Sequence, residues 1–225
     1  MKNNILYLLV ALSLLSCNPY SQLGSKNKKI FIDYHNAELV LMKFFARNIN
    51  INETDTICDV ASGIGTSIAS MSVCFPKSIH YYAEDIAIKN LTKKNFDRTF
   101  KFYGLQPNTS NIEVVEGLKD KIPFASKSLN YITISDALHE FEFKEKMLNE
   151  IHSVLRDTGK FFILEPVSYD SLHIKNESCG FYYLKNRELN ELISNANFKI
   201  IADTISKDTY IKDKTYFRAI ILAKK

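Results

Sequence analysis

The feature that most constrains the fold is the run over 56–66, which reads TICDVASGIGT. Its apolar first half, 56–60, indicates a short buried strand with Asp59 near the end. Gly63 and Gly65 follow, and a helix is expected over 67–73. In such a strand–loop–helix unit, the glycines let backbone approach a ligand and the helix N–H groups face it. The run therefore predicts a site for a nucleotide-like cofactor inside an α/β fold.

The rest of the chain continues this alternation of short β-rich runs with stretches long enough for a helix. Strands are predicted over 56–60, 79–83, 112–115, 129–135 and 160–164, and helices over 37–47, 67–73, 88–102, 144–155 and 187–196. The last two strands, 198–202 and 216–223, should pair as an antiparallel hairpin. The prediction is an α/β fold with a doubly wound, mostly parallel seven-stranded sheet, a C-terminal antiparallel hairpin and helices on both faces.

The N-terminus predicts export. Lys2 precedes an apolar stretch over 5–15 that is interrupted only by Ser13. This stretch is too short to span a bilayer, which needs about 20 residues, but it suits a signal peptide. The sequence LLSC over 14–17 resembles a bacterial lipobox, in which the cysteine is lipidated and becomes the mature N-terminus. We expect a signal peptide over 1–16, a lipidated tether on Cys17 over 17–36 and a folded domain over 37–225.

Two alternatives remain for this segment. It could be an ordinary signal peptide in which Cys17 has no role, or it could stay uncleaved and hold the domain on the cytosolic face. The expected location is the bacterial cell envelope, as a membrane-anchored lipoprotein, or the cytoplasm if the signal is not used.

Composition argues against two other kinds of partner. A net charge of +4 over 225 residues, with no long basic block, does not suggest nucleic acid. Besides Cys17 the chain has Cys58, Cys74 and Cys179, whose spacing fits neither a zinc site nor a disulfide framework. We therefore expect no metal site, and a chain that acts as a monomer on a small molecule.

An acid about 20 residues after the glycine loop is the second signal of a cofactor site. The second predicted strand ends in Glu84, Asp85 and Ile86. A carboxylate there suits bidentate hydrogen bonding to ribose hydroxyls. Asp85 is preferred, because Ile86 then follows as an apolar lid for an adenine. Glu84 is the alternative ribose ligand. A third possibility is that the acid binds no ligand and is simply a solvated side chain at a strand end.

Taken in order, these segments resemble the class I S-adenosylmethionine-dependent methyltransferases, from about residue 37 to the C-terminus. The first motif of that family is an acid followed by three alternating glycines, and here Ala61 stands at the first glycine position. Asn197 likewise stands where a glycine is usual, and Leu118 where an acid often bonds the adenine amino group. The matching segments are 59–65, 84–86, 122–124, 128–132, 135–141, 155–166, 188–189 and 196–198.

The resemblance implies roles for individual residues. Methyl transfer from a sulfonium is an in-line displacement, for which a protein mainly supplies proximity and orientation. Asp59 would hold the methionine ammonium group, directly or through water. Asp136 would line the cofactor at the exit of the fourth strand, with a helix N-cap as its alternative role. The implied S-adenosylmethionine-binding residues are Asp59, Ala61, Gly63, Gly65, Glu84, Asp85, Ile86 and Asp136.

His139 and Glu140 are the acid–base candidates in the loops that should face the acceptor. A histidine with a pKa near 6.5 can deprotonate an oxygen or nitrogen acceptor. The alternative is that His139 only bonds backbone and packs near the cofactor. The predicted function is methyl transfer to a small-molecule or lipid-like acceptor.

Two other classes of protein fit parts of the sequence. A lipid-anchored, non-catalytic binding protein with the same fold would explain why an exported chain carries this site, since S-adenosylmethionine is made in the cytosol. A nicotinamide-dependent dehydrogenase could use the same loop geometry, although the segment 155–166 and the terminal hairpin favour a methyltransferase.

Overall fold

The computed structural model describes residues 25–106, 110–176, 179–206 and 215–225. The helices are α1 Ser25–Asn48, α2 Thr66–Cys74, α3 Lys93–Phe102, α4 Lys144–Val154 and α5 Asn186–Asn195. The strands are β1 Thr56–Val60, β2 His80–Asp85, β3 Ile112–Glu116, β4 Leu129–Ser135, β5 Leu155–Ser168, β6 Leu184–Lys185, β7 Phe198–Ser206 and β8 Thr215–Lys224. Two short 3-10 turns, Ile88–Asn90 and Leu138–Glu140, follow β2 and β4.

The strands form one sheet in the order β3-β2-β1-β4-β5-β8-β7. The pairs from β3 to β5 are parallel, and β8 lies antiparallel between β5 and β7. The predicted fold class, with its parallel half and antiparallel C-terminal hairpin, is confirmed. One detail differs: over the residues that the structure describes, the sheet has eight strands rather than the predicted seven. The additional strand, β6, is only two residues long and pairs with the end of β5, beyond the last residue that β5 pairs with β4.

Helices cover both faces of the sheet, and each face has its own core. The side chains of β5 alternate between these two cores. Phe161 and Ile163 belong to one core, and Phe162 and Leu164 to the other, as the two-residue period of a strand requires. The first core contains Met147, Leu148 and Ile151 of α4 with Leu189 and Ile193 of α5. The second contains Leu41, Met42 and Phe45 of α1, Ile68 of α2, and Phe96 and Phe100 of α3.

Helix α1 begins at Ser25, earlier than the apolar pattern over 37–47 predicts. Over 25–36 the apolar residues Ile30, Phe31 and Ile32 are consecutive rather than spaced at the helical period, so the sequence pattern did not indicate a helix there. The part of α1 that packs is the predicted part: Leu41, Met42 and Phe45 are buried, and Phe45 stacks on Phe162 with ring centroids 4.3 Å apart. This stacking fixes α1 against β5.

The predicted helix over 88–102 is divided in the structure. A 3-10 turn covers Ile88–Asn90, and α3 starts only at Lys93, where the Thr92 hydroxyl accepts from the backbone N–H of Asn95. Threonine is a favoured N-cap because it satisfies such an end donor.

The signal peptide and Cys17, predicted within residues 1–24, lie outside the described residues. Among the residues that the structure describes, no helix is long and apolar enough to cross a membrane.

Candidate functional site

A cavity of about 1370 Å³ opens at the carboxyl ends of β1, β2 and β4. Ligands of open α/β sheets bind in this position, where the connections from neighbouring strands leave in opposite directions. The loop after β1 forms one wall, the 3-10 turn after β4 another, and residues of α3 a third. The predicted site residues in these walls are Ala61, Gly63, Glu84, Asp85, Ile86, Asp136 and Glu140.

Three left-handed residues shape the loop after β1. Ala61, Gly63 and Gly65 have φ values of 57°, 59° and 80°. Ala61 therefore has the backbone conformation that a glycine adopts without strain, and its side chain makes that conformation costly. Gly65 is needed for a second reason, since a Cβ there would lie 2.3 Å from Cε1 of the buried Phe96. Gly65 thus acts through packing under the loop.

Asp59 lies behind the loop, and the cavity wall does not include it. Its carboxylate accepts hydrogen bonds of 2.7 Å from the hydroxyls of Ser62 and Thr133, one on each oxygen. Burial raises the pKa of Asp59 to about 7, although these two bonds oppose the shift. Ser62 does line the cavity, so Asp59 meets the site through Ser62 and helps to hold the loop in place.

The acids at the end of β2 also bind the loop. Asp85 Oδ2 accepts from the Gly63 backbone N–H at 2.7 Å, and Oδ1 accepts from that of Ala87 at 2.6 Å. Glu84 Oε2 accepts from the Ala61 N–H at 3.3 Å, and burial raises the pKa of Glu84 to about 7. Each carboxylate oxygen has two lone pairs, so Asp85 can still accept from a ribose hydroxyl.

Gly117 provides the space that Glu84 occupies. A Cβ on Gly117 would overlap the Glu84 carboxylate. The following residue, Leu118, lines the cavity and is 55% exposed. Where a family acid would bond an adenine amino group, this chain therefore offers an apolar contact.

Glu38 of α1 is a site residue that the sequence analysis missed. Its Oε1 accepts from the hydroxyls of Ser67 and Ser135, at 3.1 and 3.3 Å, and its Oε2 from that of Tyr103 at 2.9 Å. It is 3% exposed. An acid one turn before the apolar pair Leu41–Met42 was the available signal, because a buried face seldom carries a carboxylate without partners.

Four buried carboxyl groups therefore share one corner of the molecule: Glu38, Asp59, Glu84 and Asp85. Their like charges contribute to the raised pKa values of Asp59 and Glu84. A cation bound here would favour the ionised forms. The corner thus suits a positively charged ligand, such as one with a sulfonium and an ammonium group.

A buried histidine–glutamate pair lies behind the wall at the other end of the cavity. His139 Nδ1–H donates to Glu165 Oε1 at 2.6 Å, and both side chains are fully buried. The carboxylate also accepts from the backbone N–H groups of His139 and Leu138, at 3.0 and 3.1 Å. Burial alone would lower the pKa of His139, but the bond to Glu165 and its charge raise it overall. The ring is held with Nε2 directed away from Glu165.

A hairpin distant in the sequence reaches that free nitrogen. Lys175 pairs with Tyr182, and Gly180, at φ 81°, closes the turn by donating to the Asn176 carbonyl. This geometry brings Asn176 Nδ2 and Cys179 Sγ to 3.4 and 3.5 Å from His139 Nε2. The spacing of the cysteines did not predict that Cys179 would lie beside His139, because these residues are distant in the sequence and only the fold brings them together.

Two predicted roles need correction or refinement. Asp136 is not an N-cap, since the residue before the 3-10 turn Leu138–Glu140 is Ala137. Asp136 instead lies in the cavity wall with a left-handed φ of 50°. Among the described residues that line the cavity, Glu140 is present but His139, Asp59 and Gly65 are not. His139 lies just behind the wall, next to Glu140.

The fold and the cavity define the class of protein: a Rossmann-like α/β protein with a large cavity at the exits of β1 and β2. Comparison with known proteins then identifies the family. The model of the ubiE/COQ5 methyltransferase family matches residues 25–206, and the chain belongs to this family. That assignment disfavours the dehydrogenase alternative.

Two relatives and one solved structure illustrate the similarity. Demethylmenaquinone methyltransferase of Chlorobaculum parvum is 28% identical over 111 residues, 49% of this chain and 41% of that protein. The ubiquinone/menaquinone biosynthesis C-methyltransferase UbiE of Geotalea uraniireducens is 26% identical over 143 residues, 64% of this chain and 58% of that one. The chain therefore spans about half the length of these relatives.

The solved structure is 1,6-didemethyltoxoflavin-N1-methyltransferase of Burkholderia thailandensis, with bound 1,6-didemethyltoxoflavin and S-adenosylhomocysteine. It superposes with a TM-score of 0.63 at 15% identity, covering 97% of this chain and 89% of that one. At that identity the likeness shows a shared fold.

Proposed function

We propose that the protein is an S-adenosylmethionine-dependent methyltransferase that acts on a planar, quinone-type small molecule. The observation that carries the proposal is the single cavity that joins the acidic corner at β1 and β2 to the Glu140 wall after β4. Its volume of about 1370 Å³ exceeds the 300–1,000 Å³ typical of a site for one ligand. It therefore has space for a cofactor and an acceptor side by side.

The residues present fit this cofactor. The buried acids suit its positive charges, and the exposed Ile86 and Leu118 offer apolar contact to an adenine. When bound, S-adenosylmethionine supplies the methyl group for an in-line displacement. The chain's own contribution is to bind and orient: the loop after β1 would hold one end of the cofactor, and Asp85 would accept from a ribose hydroxyl.

The acceptor end is more apolar. Phe141, Met147 and Phe181 line it together with Glu140. Aromatic side chains offer faces for stacking on a planar ring, and the carboxylate of Glu140, which is 44% exposed, can accept a hydroxyl proton from the acceptor. The relatives named for demethylmenaquinone and ubiquinone/menaquinone support a quinone-type acceptor.

The test uses the full chain, S-adenosylmethionine with a tritiated methyl group, and a demethylmenaquinol with a short side chain. We expect label in the quinol fraction and a calorimetric binding signal for the cofactor. Asp85→Ala should weaken cofactor binding at least tenfold, whereas Asp97→Ala, which removes a carboxylate outside the cavity wall, should not.

The outcomes separate the candidate functions. Binding of the cofactor without transfer to any quinol or catechol would favour the non-catalytic binding protein. No heat at millimolar cofactor would contradict both the enzyme and the binding protein.

We further propose that Cys17 carries a lipid that anchors the domain to the membrane of the cell envelope. The family match starts at residue 25, where α1 starts, so the lipobox-like segment precedes the family domain. Growth with radioactive palmitate should label the wild-type chain and leave Cys17→Ala unlabelled. Equal label in both would contradict lipidation at Cys17.

A further inference from the structure

A cluster of three potential metal ligands lies beside the acceptor end of the cavity. His139, Glu140 and Cys179 each offer one ligand atom, and these atoms lie within 4.8 Å of one another. His139 Nε2 is 3.5 Å from Cys179 Sγ and 3.8 Å from Glu140 Oε1. Nitrogen, sulfur and carboxylate oxygen together are the donor set that zinc prefers.

The distances agree with a tetrahedral ion. With a zinc–nitrogen distance of about 2.0–2.1 Å and a zinc–sulfur distance of about 2.3 Å, the edge between N and S is about 3.5 Å. The observed separation of Cys179 Sγ and His139 Nε2 has this value. The nitrogen–oxygen edge should be about 3.4 Å, against 3.8 Å here, and the third edge lies within 4.8 Å. The Glu140 carboxylate, which is 44% exposed, would therefore move towards His139 and Cys179 when the ion binds.

The surroundings of His139 complete the argument. Glu165, itself fully buried, accepts from the Nδ1–H, which leaves the lone pair on Nε2 facing Cys179 Sγ at 3.5 Å and Asn176 Nδ2 at 3.4 Å. Histidines that ligate metals nearly always donate their other ring N–H in this way. The Glu165 carboxylate also holds the backbone at Leu138 and His139, so the ligand has a fixed orientation.

We propose that this chain binds one zinc ion through His139 Nε2, the Glu140 carboxylate and Cys179 Sγ. Three protein ligands leave a fourth position open, as in zinc sites that also bind solvent or substrate. Glu140 and Phe181, two residues beyond Cys179, both line the cavity, so the open position borders the space for the acceptor. The thiol loses its proton to solvent when the ion binds.

The test measures metal binding alone, without cofactor or acceptor, so its outcome is independent of methyl transfer. The full chain is treated with EDTA, dialysed against micromolar zinc, and analysed for bound metal. We expect one zinc per chain. Cobalt in place of zinc should give a thiolate-to-cobalt absorption band in the near ultraviolet together with the visible bands of a tetrahedral ion.

Matched variants locate the site. Cys179→Ser should abolish the thiolate band and weaken zinc binding at least 100-fold, whereas Cys74→Ser, a free thiol outside the cluster, should change neither. Glu165→Gln should keep the band but weaken binding 10- to 100-fold, because it alters only the positioning of His139.

Two results would overturn the proposal. One is a folded wild-type chain that retains less than a tenth of an equivalent of zinc. The other is a thiolate band that Cys74→Ser removes as completely as Cys179→Ser. Either would leave the Cys179–His139 contact as an ordinary thiol–imidazole hydrogen bond.

Discussion

The two ends of the cavity use buried carboxylates in opposite ways. At the exits of β1 and β2, Asp59 and Glu84 are held by neutral hydroxyl and N–H donors, and their pKa values are raised to about 7. At the exit of β5, Glu165 bonds an imidazole and two backbone N–H groups. The first end suits a cationic ligand, whereas at the second end Glu165 is already paired with His139 of the same chain.

The two sets of buried carboxylates therefore have different roles: Glu165 positions neighbouring groups of the chain, whereas Asp59 and Glu84 suit the binding of a cation. Removing one member of a buried, hydrogen-bonded pair is costly, because the other member is left without its partner in the interior. A buried carboxylate without a cation destabilises the free protein and gains when a cation arrives.

Loss of Glu165 should have the largest effect. In Glu165→Ala, the His139 ring N–H and the N–H groups of Leu138 and His139 lose their buried acceptor. We expect unfolding by urea, with chelator present, to show a loss of about 3–5 kcal/mol. Glu140→Ala, at an exposed position, should change stability by less than about 0.5 kcal/mol. Equal losses in the two variants would mean that Glu165 is not the fixed partner described here.

The next largest effect concerns the loop after β1, which borders the acidic corner. Gly65→Ala should destabilise the chain by about 3 kcal/mol, from a left-handed alanine, about 1–2 kcal/mol, and from overlap with Phe96, about 1–3 kcal/mol. Gly63→Ala is the matched control, because its φ is 59° but a Cβ meets nothing within 4 Å. It should lose only about 1 kcal/mol. Similar urea midpoints for both variants would show that Phe96 does not limit position 65.

The same contrast explains how much the sequence could predict. The acidic corner is built from 56–66 and 80–86, two segments with a local pattern, and most of the site residues predicted from them lie in the cavity wall. Even Asn197, noted where a glycine is usual, has a left-handed φ of 58°, which asparagine tolerates.

The contacts around His139 at the other end of the cavity could not be predicted from a local sequence pattern. Glu165 lies 26 residues and Cys179 lies 40 residues after His139, so the fold and not a local pattern brings these three residues together. Glu38 depends on how α1 crosses the sheet, which no local pattern specifies. The sequence thus predicted contacts within a motif, and missed those made by tertiary packing.

A pH series should show the acidic end responding to charge. Because the pKa values of Asp59 and Glu84 lie near 7, above their ordinary values, both groups are mostly neutral at pH 5.5 and ionise as the pH rises through 7. A cationic cofactor binds the ionised forms better. If binding lowers one pKa by about a unit, affinity changes about tenfold, so the calorimetric Kd for S-adenosylmethionine should fall about tenfold between pH 5.5 and 7.5.

The stability of the free chain should move the other way. The folded state keeps protons that the unfolded carboxyls release near pH 4, so the contribution of these groups to stability is present at low pH and is lost as the pH rises towards 7. Asp59→Asn should reduce both trends. A Kd that stays constant over this range would show that the buried acids do not bind the cofactor's charge.

The smallest predicted effect concerns Ala61, the alanine at the first glycine position. Ala61→Gly removes the cost of a left-handed alanine, about 1–2 kcal/mol, and adds the chain entropy of glycine, about 0.5–1 kcal/mol. Its φ of 57° therefore predicts a gain of about 0.5 kcal/mol in urea unfolding. Ala87→Gly, at an ordinary φ of −98°, should instead lose about 0.5 kcal/mol or more. If both variants lose stability alike, the loop after β1 is not strained at Ala61, and the acidic end would be destabilised by its buried charges alone.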